Sequence, residues 1–421
     1  MGLNDSAWEA LFRKYDILSR IEADGQFFIS ANQIKEFREP RLMTKFDHRV
    51  NLPQLFADNG LAILPVTRGD YVIAPFAAYH DFEPPQGSPT RVRLPVGLQS
   101  LAPRFLVSEA IALNCAAACG ILEDFLEDQA VVPTVSGRMG SGRVSFSIDV
   151  PDGQRQVEVN NAQIEIDAAC EGSRFLSLFE AKRDLADDFL VRQLYYPYRV
   201  WSDRVTKPVK SVFLVFTNGV FHLYEYRFEQ PERYCSLRLV KQRSYTLTTG
   251  ITRSDIGRLL TGVPLLPEPE ISFPQANSMA RVVNLAELLS GRDMTRDEIT
   301  AEYAFDARQT NYYTDAGRYL GLMEKDRKDG AVCFRLSPLG RRILSMDLRE
   351  RQLALAGQIL GHRAFRETMR VCLSSGEMPP AGAVVEIMKA SGLYHVASDS
   401  TYFRRASTVT GWLNWILDLT E

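Results

Sequence analysis

The chain opens with a helical rhythm: in WEALFRKYDILSRI (8–21) apolar positions recur every three to four residues. QFFIS (26–30), LAILPV (61–66) and DYVIAPF (70–76) are short apolar runs that predict strands. SANQIKEF lies between the first two as a helix capped by Ser30. Pro and Gly then break the pattern in DFEPPQGSPTRVRLP (81–95), which marks residues 1–100 as a small mixed α/β domain.

From about residue 104 the predicted order is helix, three strands, helix, two strands. A long helix, LVSEAIALNCAAACGILEDFLED, comes first, followed by a Gly-rich turn, SGRMGSGR (136–143). Strands are expected at RVSFSIDV (143–150), QVEVNNAQIEIDAA (156–169) and RFLSLFEAK (174–182), then an amphipathic helix, DDFLVRQLYYPYRVW (187–201). SVFLVFTN (211–218) and VFHLYEYRF (220–228) follow as strands joined by an Asn218-Gly219 turn. The region 101–263 therefore reads as a mixed sheet packed with helices. A Pro-rich stretch, PLLPEPEISFPQ (264–275), marks a second boundary. Beyond it lie two mainly helical units, 277–345 and 346–421. The first runs RVVNLAELL, TRDEITAEYAF, DARQTNYYTDAGRYLGL, a turn at KDRKDG, and a short strand AVCFRLS. The second runs RQLALAGQIL, HRAFRETMRVCL, PAGAVVEIMKASGL, DSTYFRRASTVTGWLNWIL. Each resembles a winged-helix unit whose third helix can enter a DNA groove.

Composition adds limits. A chain of 421 residues with 45% hydrophobic and 24% charged residues is long enough for several folded domains. A net charge of -3 gives no global basic signature, so any nucleic-acid contact depends on local arginines. The six cysteines form no CxxC pair and the five histidines do not cluster, which argues against a zinc site. No run is long enough to span a bilayer, and the opening lacks the charged-then-apolar pattern of a signal peptide. The expectation is a reducing, cytoplasmic setting and no membrane partner.

The chemistry gathers on two strands. Residues two apart in a strand share a face. In QIEIDAA, Ile164 and Ile166 point one way, and Gln163, Glu165 and Asp167 the other. In FLSLFEAK, Glu180 and Lys182 share a face. Neighbouring strands can so present Asp167, Glu180 and Lys182 to one point. Two carboxylates suit a hard cation such as Mg²⁺, with Mn²⁺ as a substitute. A lysine beside them can orient water and stabilise a pentavalent phosphate. Glu165 is a further candidate, as metal ligand, water orienter or plain exposed residue. Glu109, early in the long helix, is read mainly as a first-turn acid favourable to the helix dipole. Gln193 and Tyr196 could brace the lysine or contact phosphate.

AQIEIDAACEG, LFEAK and DDFLVRQLYYPYRVW together resemble the type II restriction endonucleases of the PD-(D/E)XK nuclease superfamily. The first acid maps to Asp167 and the Glu-x-Lys to Glu180, Ala181 and Lys182; the preceding proline of the loose pattern is missing. The resemblance implies an α+β multidomain fold with a restriction-endonuclease-like mixed sheet, plus the winged-helix-like C-terminal region. It implies Mg²⁺-dependent, sequence-specific cleavage of double-stranded DNA, a homodimer, and a separate cognate DNA methyltransferase. The alternatives are a winged-helix regulator with an inert nuclease-like core and a repair or mobile-element nuclease. Candidate DNA contacts are Arg138 and Arg143 in the Gly-rich turn. In the third helix of the first unit they are Arg308, Gln309, Asn311, Tyr312 and Tyr313, behind an Asp306 cap. In the last helix they are Arg404 and Arg405. Lys45, His48, Arg49 and Arg68 could serve recognition from the N-terminal domain.

Overall fold

The computed structural model describes residues 3–98, 100–101, 108–183, 185–303, 305, 307–328 and 330–420. The chain is α+β and divides into two compact units. The first is built from within 1–95, 108–216 and 220–246, and the second chiefly from 247–421. No helix among the described residues is long and apolar enough to cross a membrane.

The first unit begins with α1 (Leu3–Tyr15), α2 (Ile17–Asp24), β1 (Phe27–Ser30), α3 (Ala31–Lys35), α4 (Pro40–Thr44), α5 (Gln54–Asp58), β2 (Ala62–Pro65) and β3 (Asp70–Ala74). These strands form an antiparallel sheet in the order β1-β3-β2, with a core around Trp8, Phe12 and Phe56. Ser30 caps α3 in a capping box with Gln33. The helix expected over 8–21 breaks in two because Asp16 takes a left-handed conformation, φ 51.

The rest of the unit comprises β4 (Tyr79–Asp81), β5 (Thr90–Val92), α6 (Glu109–Ala118), α7 (Ile121–Leu126), β6 (Val132–Gly140), β7 (Arg143–Val150), β8 (Gly153–Asn160), β9 (Gln163–Glu171) and β10 (Leu176–Lys182). It continues through β11 (Asp188–Leu190), α8 (Arg192–Ser202), β12 (Val209–Thr217), β13 (Val220–Phe228) and β14 (Leu237–Leu247). Seven strands make one mixed sheet in the order β5-β14-β13-β12-β10-β9-β6. β10 is antiparallel to β9 and parallel to β12.

Several expectations are corrected here. SGRMGSGR is no simple turn: most of it extends β6, which pairs with β9 through two register shifts. An exposed edge strand has no apolar alternation to betray it. The single strand expected over 156–169 turns at Asn161, φ 57, and becomes β8 and β9. The long helix breaks at Gly120, φ 72, giving α6 and α7; Leu106 and Val107, at its expected start, lie outside the described residues. The helix expected over 187–201 begins with β11, whose residues pair with β4. Residues 1–100 are also no separate domain, because β4 and β5 pair with strands of the later region and Leu64 and Val72 share a core with Val144 and Tyr195.

The second unit contains α9 (Arg253–Gly262), α10 (Met279–Leu289), β15 (Met294–Thr295), α11 (Arg296–Glu302), α12 (Ala307–Tyr319), β16 (Met323–Lys328), β17 (Ala331–Leu336), α13 (Pro338–Leu344), α14 (Leu348–Leu360), α15 (Arg363–Ser375), α16 (Ala381–Lys389) and α17 (Asp399–Asp418). Its three strands form an antiparallel sheet in the order β15-β17-β16. Most of the turn expected at KDRKDG is strand β16. Among the described residues of 346–421 there is no strand, so that segment lacks the hairpin a wing requires. Nor are 277–345 and 346–421 independent: one hydrophobic core runs from Ile251 through Phe273, Leu285, Tyr319 and Phe365 to Ile416. The Pro-rich stretch contributes Phe273 to it and is packing rather than linker.

Candidate functional site

The site is set by the pleat of two central strands. In β9, Ile164 and Ile166 are buried, and Gln163 and Glu165 are exposed, with Asp167 half-buried on their face. β10 is buried along nearly its whole length, so Glu180 and Lys182 sit inside the protein rather than on a solvated face. The ladder pairs Leu176 with Glu171 and Phe179 with Ala168. It brings the Ala181 N–H to donate to Asp167 Oδ2 at 2.8 Å. Lys182 Nζ donates to Glu180 Oε1 at 2.5 Å, and their side chains are 17% and 11% exposed. From the first turn of α8, Gln193 Nε2 donates to the same Oε1 at 2.8 Å.

Burial pushes the Glu180 carboxyl up to about 7, against the pull of Lys182 and with the help of the Asp167 and Asp47 charges. Burial alone would lower the pKa of Lys182. The charges of Glu180, Glu109, Asp47 and Asp167 outweigh it and hold the ammonium above its ordinary value. The site is thus one protonated lysine among more carboxylates than it can neutralise.

Both bonds to Glu180 fall on Oε1, and the bond to Asp167 falls on Oδ2. Each carboxylate keeps a second oxygen for another partner. Among the described residues no group of three or more His, Cys, Asp or Glu could hold a metal ion. A two-carboxylate arrangement fits Mg²⁺, which keeps several waters and binds through one or two carboxylates plus substrate phosphates instead of an all-protein cage.

Asp167, Glu180, Lys182 and Gln193 are brought together. Glu165 is engaged by Arg138, 3.2 Å away across the β6–β9 ladder, in an ion pair more than half exposed on both sides. Arg138 is therefore a strand residue with a carboxylate partner, not a loop arginine. Arg143 opens β7, in a separate two-stranded sheet with β8. Tyr196 is fully buried and donates to the Pro65 carbonyl at 3.0 Å, so it packs and does not face a ligand. His48 is buried with its ring nitrogen 2.5 Å from the Asp188 carbonyl, and Arg49 pairs with Asp81 and Asp188. Both anchor the 46–49 segment.

That anchoring delivers an acid which sequence reasoning missed. The Leu190 N–H donates to the Asp47 carbonyl at 2.9 Å, and Tyr79 Oη to the Phe46 carbonyl at 2.8 Å. Asp47 is thereby held beside β11, close enough for its charge to act on Glu180 and Lys182. Nothing in FDHRV signals this, because the approach is made by tertiary pairing alone. Glu109, the first residue of α6 behind the Ser108 cap, acts on Lys182 in the same way, and α6 packs on β9 and β10.

In the second unit, α12 exposes Arg308 and Asn311, while Gln309 and Tyr312 are half-buried. Tyr313 is core, stacked on Phe305 with ring centroids 4.6 Å apart. Asp306 lies outside the described residues. On α17, Arg404 is exposed and Arg405 half-buried.

Three family profiles match the chain, each over part of it. Residues 74–246 match a domain of unknown function (DUF6997), residues 281–421 another (DUF7226), and residues 5–73 a third (DUF6996). No curated protein and no solved structure matched the chain.

Proposed function

We propose that the protein is a metal-dependent endonuclease of double-stranded DNA, of the type II restriction class, with a PD-(D/E)XK-like core and a winged-helix DNA-binding element. The observation that carries this reading is the convergence of Asp167, Glu180 and Lys182, with Gln193 fixing Glu180 from the following helix. The sheet around them supports it, since the strand with the Glu-x-Lys lies between an antiparallel and a parallel neighbour. The order α10, β15, α11, α12, β16, β17 supports the DNA-binding half, because α12 then stands as the third helix ahead of a hairpin wing.

Asp167 and Glu180 would hold Mg²⁺ through their open oxygens. A bound Mg²⁺ there supplies Lewis-acid charge at the phosphate and a water of lowered pKa. Lys182, kept protonated by the surrounding carboxylates, offers N–H donors and positive charge to a phosphoryl group gaining negative charge. Gln193 and Lys182 both hold Glu180 Oε1 and so fix the direction of Oε2. In the reaction, a water oxygen bonds to phosphorus, the bond to the leaving sugar oxygen breaks, and that oxygen takes up a proton.

The test is incubation of the full chain with unmethylated phage DNA and Mg²⁺, followed by sequencing of fragment ends. Discrete ends are expected. Asp167→Ala, Glu180→Ala and Lys182→Ala should each lower cleavage by about 10³-fold or more with the far-UV circular dichroism of the folded chain unchanged. Only the two carboxylate variants should weaken cation binding. Full cleavage in any of the three, or in excess EDTA, overturns the assignment. A gel shift without cutting would identify a DNA-binding protein with an inert core.

A further inference from the structure

Sequence reading puts the polar starts of α12 and α17 in two separate domains, as two candidate readers of DNA. The structure gives them one core, with α10 packed against both helices. On α17, Arg405 stands on the same stripe as Val409, Trp412 and Ile416, all three fully buried. That stripe is tightly seated: the Trp412 indole donates to the Ala276 carbonyl at 2.7 Å. At Gly411 an added Cβ would come within 2.4 Å of the Asn277 carbonyl oxygen. The first member of the stripe is a cation where hydrocarbon would be expected.

Arg405 Nε and Nη1 are shut off from solvent and have no hydrogen-bond partner among the described residues. Among the described residues, the groups whose charges act on it are Arg404 and Tyr312 of α12, and neither is a carboxylate. The acids on these two helices nearest in sequence are engaged elsewhere, Asp399 with Lys389 at 3.0 Å and Asp315 with Arg318 at 2.7 Å. A partly desolvated guanidinium without a counter-ion is destabilising unless an anion arrives to complete it. Exposed Arg404 lies beside it, and exposed Arg308 and Asn311 belong to the helix that Arg405 approaches.

We infer that the start of α12 and the Arg404–Arg405 step of α17 form one DNA-facing surface, in which the two arginines hold backbone phosphates beside α12 and do not read a second stretch of bases. This rests on the proposal that the protein binds duplex DNA. It goes beyond it by assigning α17 to the phosphates and all base contact to α12.

The experiment measures binding of the full chain to a fluorescein-labelled random-sequence duplex in EDTA, from about 50 to 200 mM salt. Each lost phosphate contact should make the salt-induced fall in affinity shallower by about 3.5-fold over that range. Arg405→Met should show one such step, and Arg404→Gln with Arg405→Gln together about two. Arg405→Met should also hold or raise the melting temperature, which a merely structural arginine would not do. Site selection from a random pool should return the same preferred sequence for Arg405→Met as for wild type. A wild-type salt dependence in both variants, or a changed preferred sequence, overturns the inference while leaving DNA binding in place. Absence of duplex binding by the wild-type chain at low salt overturns the parent reading and this inference with it.

Discussion

Asp128, in the turn after α7, fixes the connection between the two strands of the site, and its removal should destabilise that connection. Its side chain is 1% exposed. It accepts from the Ser173 hydroxyl at 2.6 Å and from the N–H groups of Gln129 at 2.8 Å, Arg174 at 3.1 Å and Phe175 at 3.0 Å. Hydrogen bonds to a charged acceptor contribute roughly 1.5–3 kcal/mol each, so four would lose at least about 6 kcal/mol if none were replaced. Gln129, Ser173 and Arg174 are exposed, so water can re-satisfy much of that, and about 3 kcal/mol is the expected cost of Asp128→Ala. Gly172 gives an internal check, since a Cβ there would lie 2.3 Å from Asp128 Oδ2. Gly172→Ala should destabilise the wild-type chain but cost clearly less in the Asp128→Ala background, a coupling that a double-mutant cycle measures. Burial works to raise the Asp128 pKa. The Ser173 hydroxyl and the three N–H groups outweigh it and hold the carboxyl well below the usual range. A depressed folded pKa contributes stability that is present above the unfolded value of about 3.9 and is lost as pH falls through the folded one. Asp128→Ala should therefore flatten the acid limb of the stability curve. Urea unfolding of the full chain, with hydrogen exchange of the β9 and β10 amides, is the assay. An Asp128→Ala chain within about 0.5 kcal/mol of wild type, or strictly additive effects with Gly172→Ala, would refute the reasoning.

Gln193→Leu keeps most of the side-chain volume but removes the donor to Glu180 Oε1. Loss of a partner that orients a ligand residue should lower cation affinity and cleavage by about 10–100-fold, read by calorimetry and by initial rates, with little change in melting temperature. Burial pulls the His222 and His362 imidazoles down to about 4. Each therefore contributes stability that is full above an unfolded pKa of about 6.5 and lost as pH falls toward 4. The loss between about pH 7.5 and pH 5 is roughly 2 kcal/mol per histidine. His222→Gln and His362→Gln should each remove their share of that slope in pH-dependent denaturant titrations, and an unchanged slope would contradict the burial argument.

The faces of β9 and β10 are legible in the sequence, because a period of two with isoleucines on one side leaves Glu165, Asp167, Glu180 and Lys182 few places to go. The cap at Ser30 and the three helices of 277–345 are local patterns and equally readable, whereas β15 and β16 are not, because MT is too short to show a period and KDRKDG looks like a turn. What escaped was set by long-range pairing. β6 is an edge strand with Gly137 at positive φ, and its sequence looks like a loop until β9 lies beside it. β11 hides inside an apparently helical run because its partner, β4, is far away in sequence. Asp47 reaches the site only through that same pairing. In 346–421 the helix spacing is legible, but periodicity does not say whether a hairpin follows or whether two units share a core.

The position of β10 has a consequence for how the molecule assembles. Its antiparallel neighbour, β9, is a tight turn away, whereas its parallel neighbour, β12, comes only after β11 and α8 have been laid down. Half of the ladder around Glu180 and Lys182 thus forms at small loop-closure cost, and the other half waits for a long loop to close. Until Val209–Thr217 docks, LSLFEAK is an edge strand of almost wholly apolar burial pattern, open to pairing with other chains. A growing or truncated chain that ends before Val209 has Asp167, Glu180 and Lys182 but not the parallel strand beside them. The chain gains its site and covers an aggregation-prone edge in the same folding event.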